Sequence, residues 1–249
     1  MIKDWEGYKE NAGKAIIGRL YQASMIKTWY RDKPEGWTLV SGLWSLFYIN
    51  LRLLPSYPDA LQNVGFALGQ LILKECPGVD RIVGVAMAGI PISTAITTES
   101  QIPSCYTRKM EAVKSVEDFN QRIKDHGEHS LVEGVIESGD RIAIVDDLVT
   151  RFDSKEVAIA QFNYELELRG IDAICEDVVV LLDREQGAEE SAKKQGITLH
   201  SLIPFKSKGI EWLSSVLSRK ESTVITDYLR DPEKYQDTNL QDDLRQEAG

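Results

Sequence analysis

Cysteine is scarce in this sequence. Three residues, Cys76, Cys105 and Cys175, are odd in number and widely spaced, and no pair stands at ligand spacing. That excludes a disulfide scaffold or a zinc module and fits a reducing cytosol, so a cytoplasmic protein is expected. No apolar run approaches the roughly 18 residues that a membrane-spanning helix needs. The first residues, Met1-Ile2-Lys3-Asp4-Trp5-Glu6, carry acids where a secretory signal has a basic region and an apolar core, so no membrane association is expected. Bases are outnumbered, 29 Lys and Arg against 39 Asp and Glu, for a formal net charge of −10. Such a chain is poorly suited to phosphate backbones, and no nucleic acid partner is expected. One small phosphorylated ligand is still allowed, because a local pocket of amides and a few bases can oppose the global field. Internal repeats and low-complexity blocks are absent. What remains is an enzyme or a small-ligand binding protein, built at 249 residues on one core of ordinary size with additions.

Hydrophobic patterning then gives the elements. The first thirty residues read as helix, with Ala15, Ile16, Ile17, Leu20, Tyr21 and Met25 about a turn apart. Trp37–Val40 and Ser45–Ile49 read as two strands around a turn at Ser41-Gly42. Helix resumes after Pro58 and runs through Leu73, and Pro77-Gly78 stops it. From Arg81 onward, β-branched runs alternate with helices. The strands are 82–85, 142–145, 178–182 and a weaker one near 198–202, with helices to about Thr98, over 154–168 and over 188–195. Continuous apolar strands separated by helices predict an α/β fold, a parallel β-sheet flanked by helices on both faces. Right-handed crossovers place the strand C-terminal ends on one edge, where ligands bind. Three stretches are expected: N-terminal helices with a small hood over 1–78, the α/β core over 79–220, and an acidic, frayed tail over 221–249. Within the core, the charged stretch 108–133 is expected to be a long flexible loop.

The segment richest in chemistry is Arg141-Ile142-Ala143-Ile144-Val145-Asp146-Asp147-Leu148-Val149-Thr150-Arg151-Phe152-Asp153-Ser154. A buried strand delivers two adjacent carboxylates to the sheet edge just before a helix starts. The helix amides with the Thr150 and Ser154 hydroxyls suit a phosphate, and the acids suit a sugar diol or a hydrated metal. The same residues also read as an ordinary loop in which Asp153 or Ser154 caps the helix and Glu156 completes a capping box.

This segment resembles the phosphoribosyl pyrophosphate (PRPP) signature of type I phosphoribosyltransferases. Further matches resemble the orotate phosphoribosyltransferase branch, in family order over about residues 37–205. They are Thr38-Leu39-Val40-Ser41-Gly42 with Ser45 and Tyr48–Arg52 for the hood, Gly84–Pro91 for the pyrophosphate loop, Lys124-Asp125-His126-Gly127-Glu128 with Glu133-Gly134 for the catalytic loop, and Val180–Arg184 with Gly187 for the strand end facing orotate. The resemblance implies magnesium-dependent transfer of phosphoribose from PRPP to orotate. It also implies a homodimer with a shared active site. On matching positions it implies that Thr150 and Ser154 hold the 5′-phosphate. Asp146 and Asp147 contact the ribose hydroxyls and, through water, Mg2+. Lys124 and His126 close over the leaving pyrophosphate, next to Ala88 and Gly89 of the pyrophosphate loop. Arg108 and Lys109 form the basic pair that reaches a neighbouring subunit, and Arg184 faces the pyrimidine.

The sequence departs from the family pattern in three places. Arg151-Phe152-Asp153 fills a phosphate loop that usually holds small residues. About a dozen extra residues, Met110 to Ile123, follow the basic pair, so either Lys114 or Lys124 stands for the loop lysine. Val40 and Ala88 stand where members carry lysines. Two other readings stay open on the same fold: a non-catalytic nucleotide- or PRPP-binding regulator, and a phosphoribosyltransferase for another base. No G-x-G-x-x-G follows a strand, which disfavours a dinucleotide-dependent dehydrogenase. His200 is read as structural.

Overall fold

The computed structural model describes residues 2–39, 42–125 and 129–248. The N-terminal periodicity forms α1 (Trp5–Gln22), opened by Asp4, whose carboxylate accepts from the Gly7 amide at 3.0 Å. This helix ends sooner than the apolar spacing suggests, because Ser24 turns the chain at φ 55° into β1 (Ile26–Thr28). The hood follows as β2 (Trp37–Thr38), β3 (Trp44–Ser45) and β4 (Phe47–Ile49). The expected second strand is therefore two. The Ser45 hydroxyl donates to the Phe47 carbonyl at 2.8 Å, a local bond that competes with the ladder. Ser45 accordingly pairs with Trp37, whereas Phe47 pairs with Thr28 of β1. Next comes α2 (Pro58–Glu75), with Pro58 at its first position, where a missing N–H costs nothing.

The core continues as β5 (Arg81–Gly84), α3 (Gly89–Ser100), β6 (Ser104–Thr107), α4 (Val116–Arg122), β7 (Val132–Glu133), β8 (Arg141–Val149), α5 (Asp153–Arg169), β9 (Ile174–Asp183), α6 (Ala188–Lys194) and β10 (Thr198–Pro204). These strands form one sheet in the order β10-β9-β8-β5-β6-β7, parallel except for β7 at the edge. The expected parallel α/β sheet is present. Two strands were not read from the sequence, β6 and β7, because each is short and neither is a continuous apolar run. Alternation along β8 and β9 sends Ala143, Val145, Val179 and Leu181 into the core shared with α1 and α2. Ile142, Ile144, Val178 and Val180 face the other way, with Phe162 of α5 and Ala188 and Ala192 of α6.

Two expectations are corrected. Residues 108–133 are not a plain loop, because Ser115 and Asp118 form a capping box that starts α4, and Phe119 of α4 sits edge-on to Tyr164 of α5. The C-terminal stretch is not frayed. After α7 (Ile210–Trp212) it forms α8 (Arg219–Arg230) and α9 (Thr238–Glu247), and the boundary drawn at 220/221 falls inside the first turn of α8. The Trp29 indole donates to the Leu244 carbonyl, and Gln236 exchanges hydrogen bonds with the Trp44 backbone, so this segment closes the hood. No helix among the described residues is long and apolar enough to cross a membrane.

Candidate active site

The chain leaves β5 towards β6 on one side and leaves β8 towards β9 on the other. The crevice at the C-terminal ends of β5 and β8, which pair Gly84 with Val145, is therefore the topological switch point. Glycine permits the close approach there. A Cβ on Gly89 would lie 2.5 Å from the Val145 carbonyl oxygen and 3.3 Å from Asp146. Gly89 thus sits directly against Asp146, and Ala88 precedes it as the N-cap of α3. The Ala86–Met87 peptide of the same loop is cis.

β8 runs four residues beyond its expected end and carries both aspartates within the strand. Asp146 is buried. Its Oδ1 accepts from the Asp147 amide at 2.8 Å and its Oδ2 from the Lys155 ammonium at 2.5 Å. Asp147 Oδ1 accepts from the Leu148 amide at 2.8 Å. Burial, and next to it the Asp146 carboxylate, push the Asp147 carboxyl up to about 7, against the pull of Lys155 and of the Leu148 amide.

The capping alternative for the following loop does not hold: the N-cap of α5 is Phe152, and no side chain caps it. The unusual filling is explained by where each residue goes. Phe152 is 1% exposed and packs inward with the cluster containing Val149, Ala158 and Phe162, while Arg151, Asp153 and Ser154 are exposed. A bulky residue is tolerated because it points into the core, away from the loop's outer face. Thr150 is half-buried at the start of that loop.

Arg184 lies beside it, since its amide donates to the Val149 carbonyl at 3.0 Å. Its guanidinium stands 4.9 Å over the Phe47 ring of the hood, and burial lowers its affinity for the proton. Its Nε is buried and has no hydrogen-bond partner among the described residues. Arg108 and Lys109 follow β6 at the same edge; Arg108 is half exposed and pairs with Glu133 at 3.6 Å. Lys114 and Lys124 are exposed on either side of α4, and His126 lies outside the described residues.

Sequence reasoning missed Lys155 and Phe47. The signal for Lys155 was there: Lys155, Ala158, Phe162 and Glu165 are all buried on α5, a 3-4-3 spacing that puts the lysine on the inward face. His200, read as structural, is buried between two carboxylates. Its Nδ1 stands 3.2 Å from Glu75 and its Nε2 2.8 Å from Asp177, and these carboxylates outweigh burial to raise its pKa. Cys76, Asp177 and His200 bring ligand atoms within 4.8 Å of one another, yet both ring nitrogens of His200 are already engaged.

For the divalent cation that the resemblance implies, the donors that fit are the carboxylates of Asp146 and Asp147, hard oxygens suited to magnesium. Both Asp146 oxygens already accept hydrogen bonds, so contact through water suits this pair better than direct ligation.

No protein-family model matches the chain. It is 33% identical over 192 residues to the orotate phosphoribosyltransferase of Saccharolobus solfataricus, covering 77% of this chain and 87% of that one. It is 32% identical over 196 residues to that of Staphylothermus marinus, covering 78% and 82%. In three dimensions it superposes on orotate phosphoribosyltransferase from Aeropyrum pernix with a TM-score of 0.59 at 22% identity, covering 81% of this chain and 97% of that one.

Proposed function

The chain belongs to the orotate phosphoribosyltransferase family, and from that premise we propose that its active site is the crevice bounded by Ala88–Gly89, Asp146–Asp147, Thr150–Ser154 and Arg184. There a ring nitrogen of orotate attacks the anomeric carbon of PRPP and gives up its proton, which the departing pyrophosphate or water takes. The bond from that carbon to pyrophosphate breaks, and orotidine 5′-monophosphate and pyrophosphate form. The Thr150 and Ser154 hydroxyls and the uncapped first amides of α5 hold the 5′-phosphate. Asp146 and Asp147 lie under the ribose, where carboxylates stabilise the positive charge that builds on the ring. Asp146 and Asp147 would hold, through water, a magnesium ion arriving with PRPP, which would supply neutralising charge on the pyrophosphate. Lys124 and His126 are assigned to closure over that leaving group, and Arg108 and Lys109 to reaching across a homodimer.

The observation that carries this reading is Arg184. A half-buried guanidinium stacked on Phe47, its buried Nε without a partner among the described residues and its residue anchored by its own amide to the Val149 carbonyl, is a ready site for an anionic planar base. The non-catalytic alternative drew its motive from the Arg151-Phe152-Asp153 filling. With Phe152 in the core, the bulk of that filling no longer argues against a phosphate. The test is loss of orotate absorbance with purified protein, PRPP and magnesium. Wild type is expected to turn over. Arg184→Ala is expected to raise the orotate KM about tenfold or more with the PRPP KM nearly unchanged. Turnover with another base but none with orotate would overturn the base assignment.

A further inference from the structure

Lys155, the third residue of α5, is a buried cation, 2% exposed. An ammonium has three protons to donate, and here three acceptors take them: Asp146 Oδ2 at 2.5 Å, the Leu148 carbonyl at 2.8 Å and Ser154 Oγ at 3.2 Å. No proton is left for a ligand, so Lys155 does not touch substrate. What it does is tie together three points of one loop, the acid at its start, the backbone in its middle and the hydroxyl at its end.

The chemistry of each bond gives the role. Ser154 Oγ accepts from Lys155, so its own proton is directed elsewhere, and Ser154 is exposed on the outer face of the loop. Asp146 is oriented through Oδ2 while Oδ1 takes the Asp147 amide. The loop between them, Thr150-Arg151-Phe152-Asp153-Ser154, has no glycine to let its backbone wrap an anion, and it carries an acid, Asp153, in the first turn of the helix. Lys155 neutralises Asp146 in a pair at 2.5 Å, so that carboxylate adds no uncompensated charge beside Asp153, and its two further bonds fix the carbonyl of Leu148 and the hydroxyl of Ser154.

We propose that Lys155 is a positioning residue that ties Asp146, the Leu148 carbonyl and the Ser154 hydroxyl together from beneath, and so fixes a phosphate-facing loop that has no glycine. The ligand class it serves is a sugar 5-phosphate. This rests on the reading above that the loop holds a 5-phosphoribosyl group.

The test uses ribose 5-phosphate in equilibrium binding, which needs neither a base nor turnover and so is separate from the orotate assay. Lys155→Met is expected to weaken binding at least tenfold. Because it leaves Asp146 buried without a partner, it is compared with a second pair, Asp146→Asn alone and Asp146→Asn with Lys155→Met, in which no buried carboxylate is stranded. The lysine substitution is expected to cost a further fivefold or more on that background. Thermal melting identifies which variants fold. Binding by folded Lys155→Met within twofold of wild type would overturn the proposal. So would the absence of any further loss on the Asp146→Asn background, which would confine Lys155 to serving Asp146. Absence of orotate turnover by wild type, with these binding losses intact, would sink the base assignment and leave the role of Lys155 standing.

Discussion

The Thr28 hydroxyl donates to the Glu221 carboxylate at 2.6 Å, a fully buried bond between residues 193 apart in sequence. It joins β1 of the hood to the first turn of α8. The other oxygen of Glu221 accepts from the Ser218 amide at 2.9 Å and completes a capping box, so one side chain both starts a helix and fixes it to the hood. Glu221→Ala is expected to destabilise by about 2–4 kcal/mol, the sum of a charged hydrogen bond and a cap. Urea denaturation measures this. A loss under about 0.5 kcal/mol would mean the hood stands without α8.

Phe152 fills the core from within the loop between β8 and α5, so urea denaturation of its truncation variants tests the packing beneath that loop. Phe152→Ala is expected to cost about 3–5 kcal/mol, as for other buried aromatics. Phe152→Leu keeps most of the volume and is expected to cost under about 2 kcal/mol. Equal losses in the two variants would show that the site is not tightly packed.

The parallel sheet was legible because its strands are long apolar runs, and Asp146–Asp147 were legible because two adjacent acids end such a run. The hood was half legible. Nothing in Ser45-Leu46-Phe47 announces that a serine hydroxyl turns back on the Phe47 carbonyl and splits one strand into two. The C-terminal helices were hidden because their stretch is mostly polar. What orders them is a few distant contacts, Trp29 to Leu244 and Trp44 to Gln236, and pairings across some 200 residues leave no local pattern. Lys155 was overlooked for the opposite reason. A lysine reads as surface, and only its phase with Ala158 and Phe162 places it inside.

On the proposed reading, Asp147 shapes the acid side of the activity profile. Its carboxyl is raised to about 7 by burial and by Asp146, so below that pH it holds a proton and would not serve a ribose or a cation's water shell. The kcat/KM for PRPP is therefore expected to climb towards neutrality, with a limb well above the ordinary carboxylate range, because kcat/KM reports groups of the free enzyme. Asp147→Asn is expected to lower activity at all pH values and to flatten that limb. A limb at pH 4 in the wild-type profile would contradict the assignment.

Glu165 governs stability in acid. It is 3% exposed on α5 and accepts from the Leu131 amide at 2.5 Å, Arg169 Nε at 2.7 Å and the Ser130 hydroxyl at 2.9 Å, pinning the residues that lead into β7 at the end of the 108–133 segment. Burial alone would raise this carboxyl. The Leu131 amide, Arg169 and Ser130 outweigh it, and the folded value lies below the ordinary 4.5. With a depressed folded pKa, the stabilisation is fully present above the unfolded value and is lost as pH falls through the folded one. Glu165→Gln keeps the shape and removes the charge. The gap in unfolding free energy between wild type and Glu165→Gln is therefore expected to be widest from about pH 5 upward and to narrow steadily below 4.5. Urea midpoints taken from pH 3.5 to 7 read that gap directly. A gap that stays constant across the range would assign the stabilisation to shape alone, and the ionised carboxylate would have no part in holding β7 against α5.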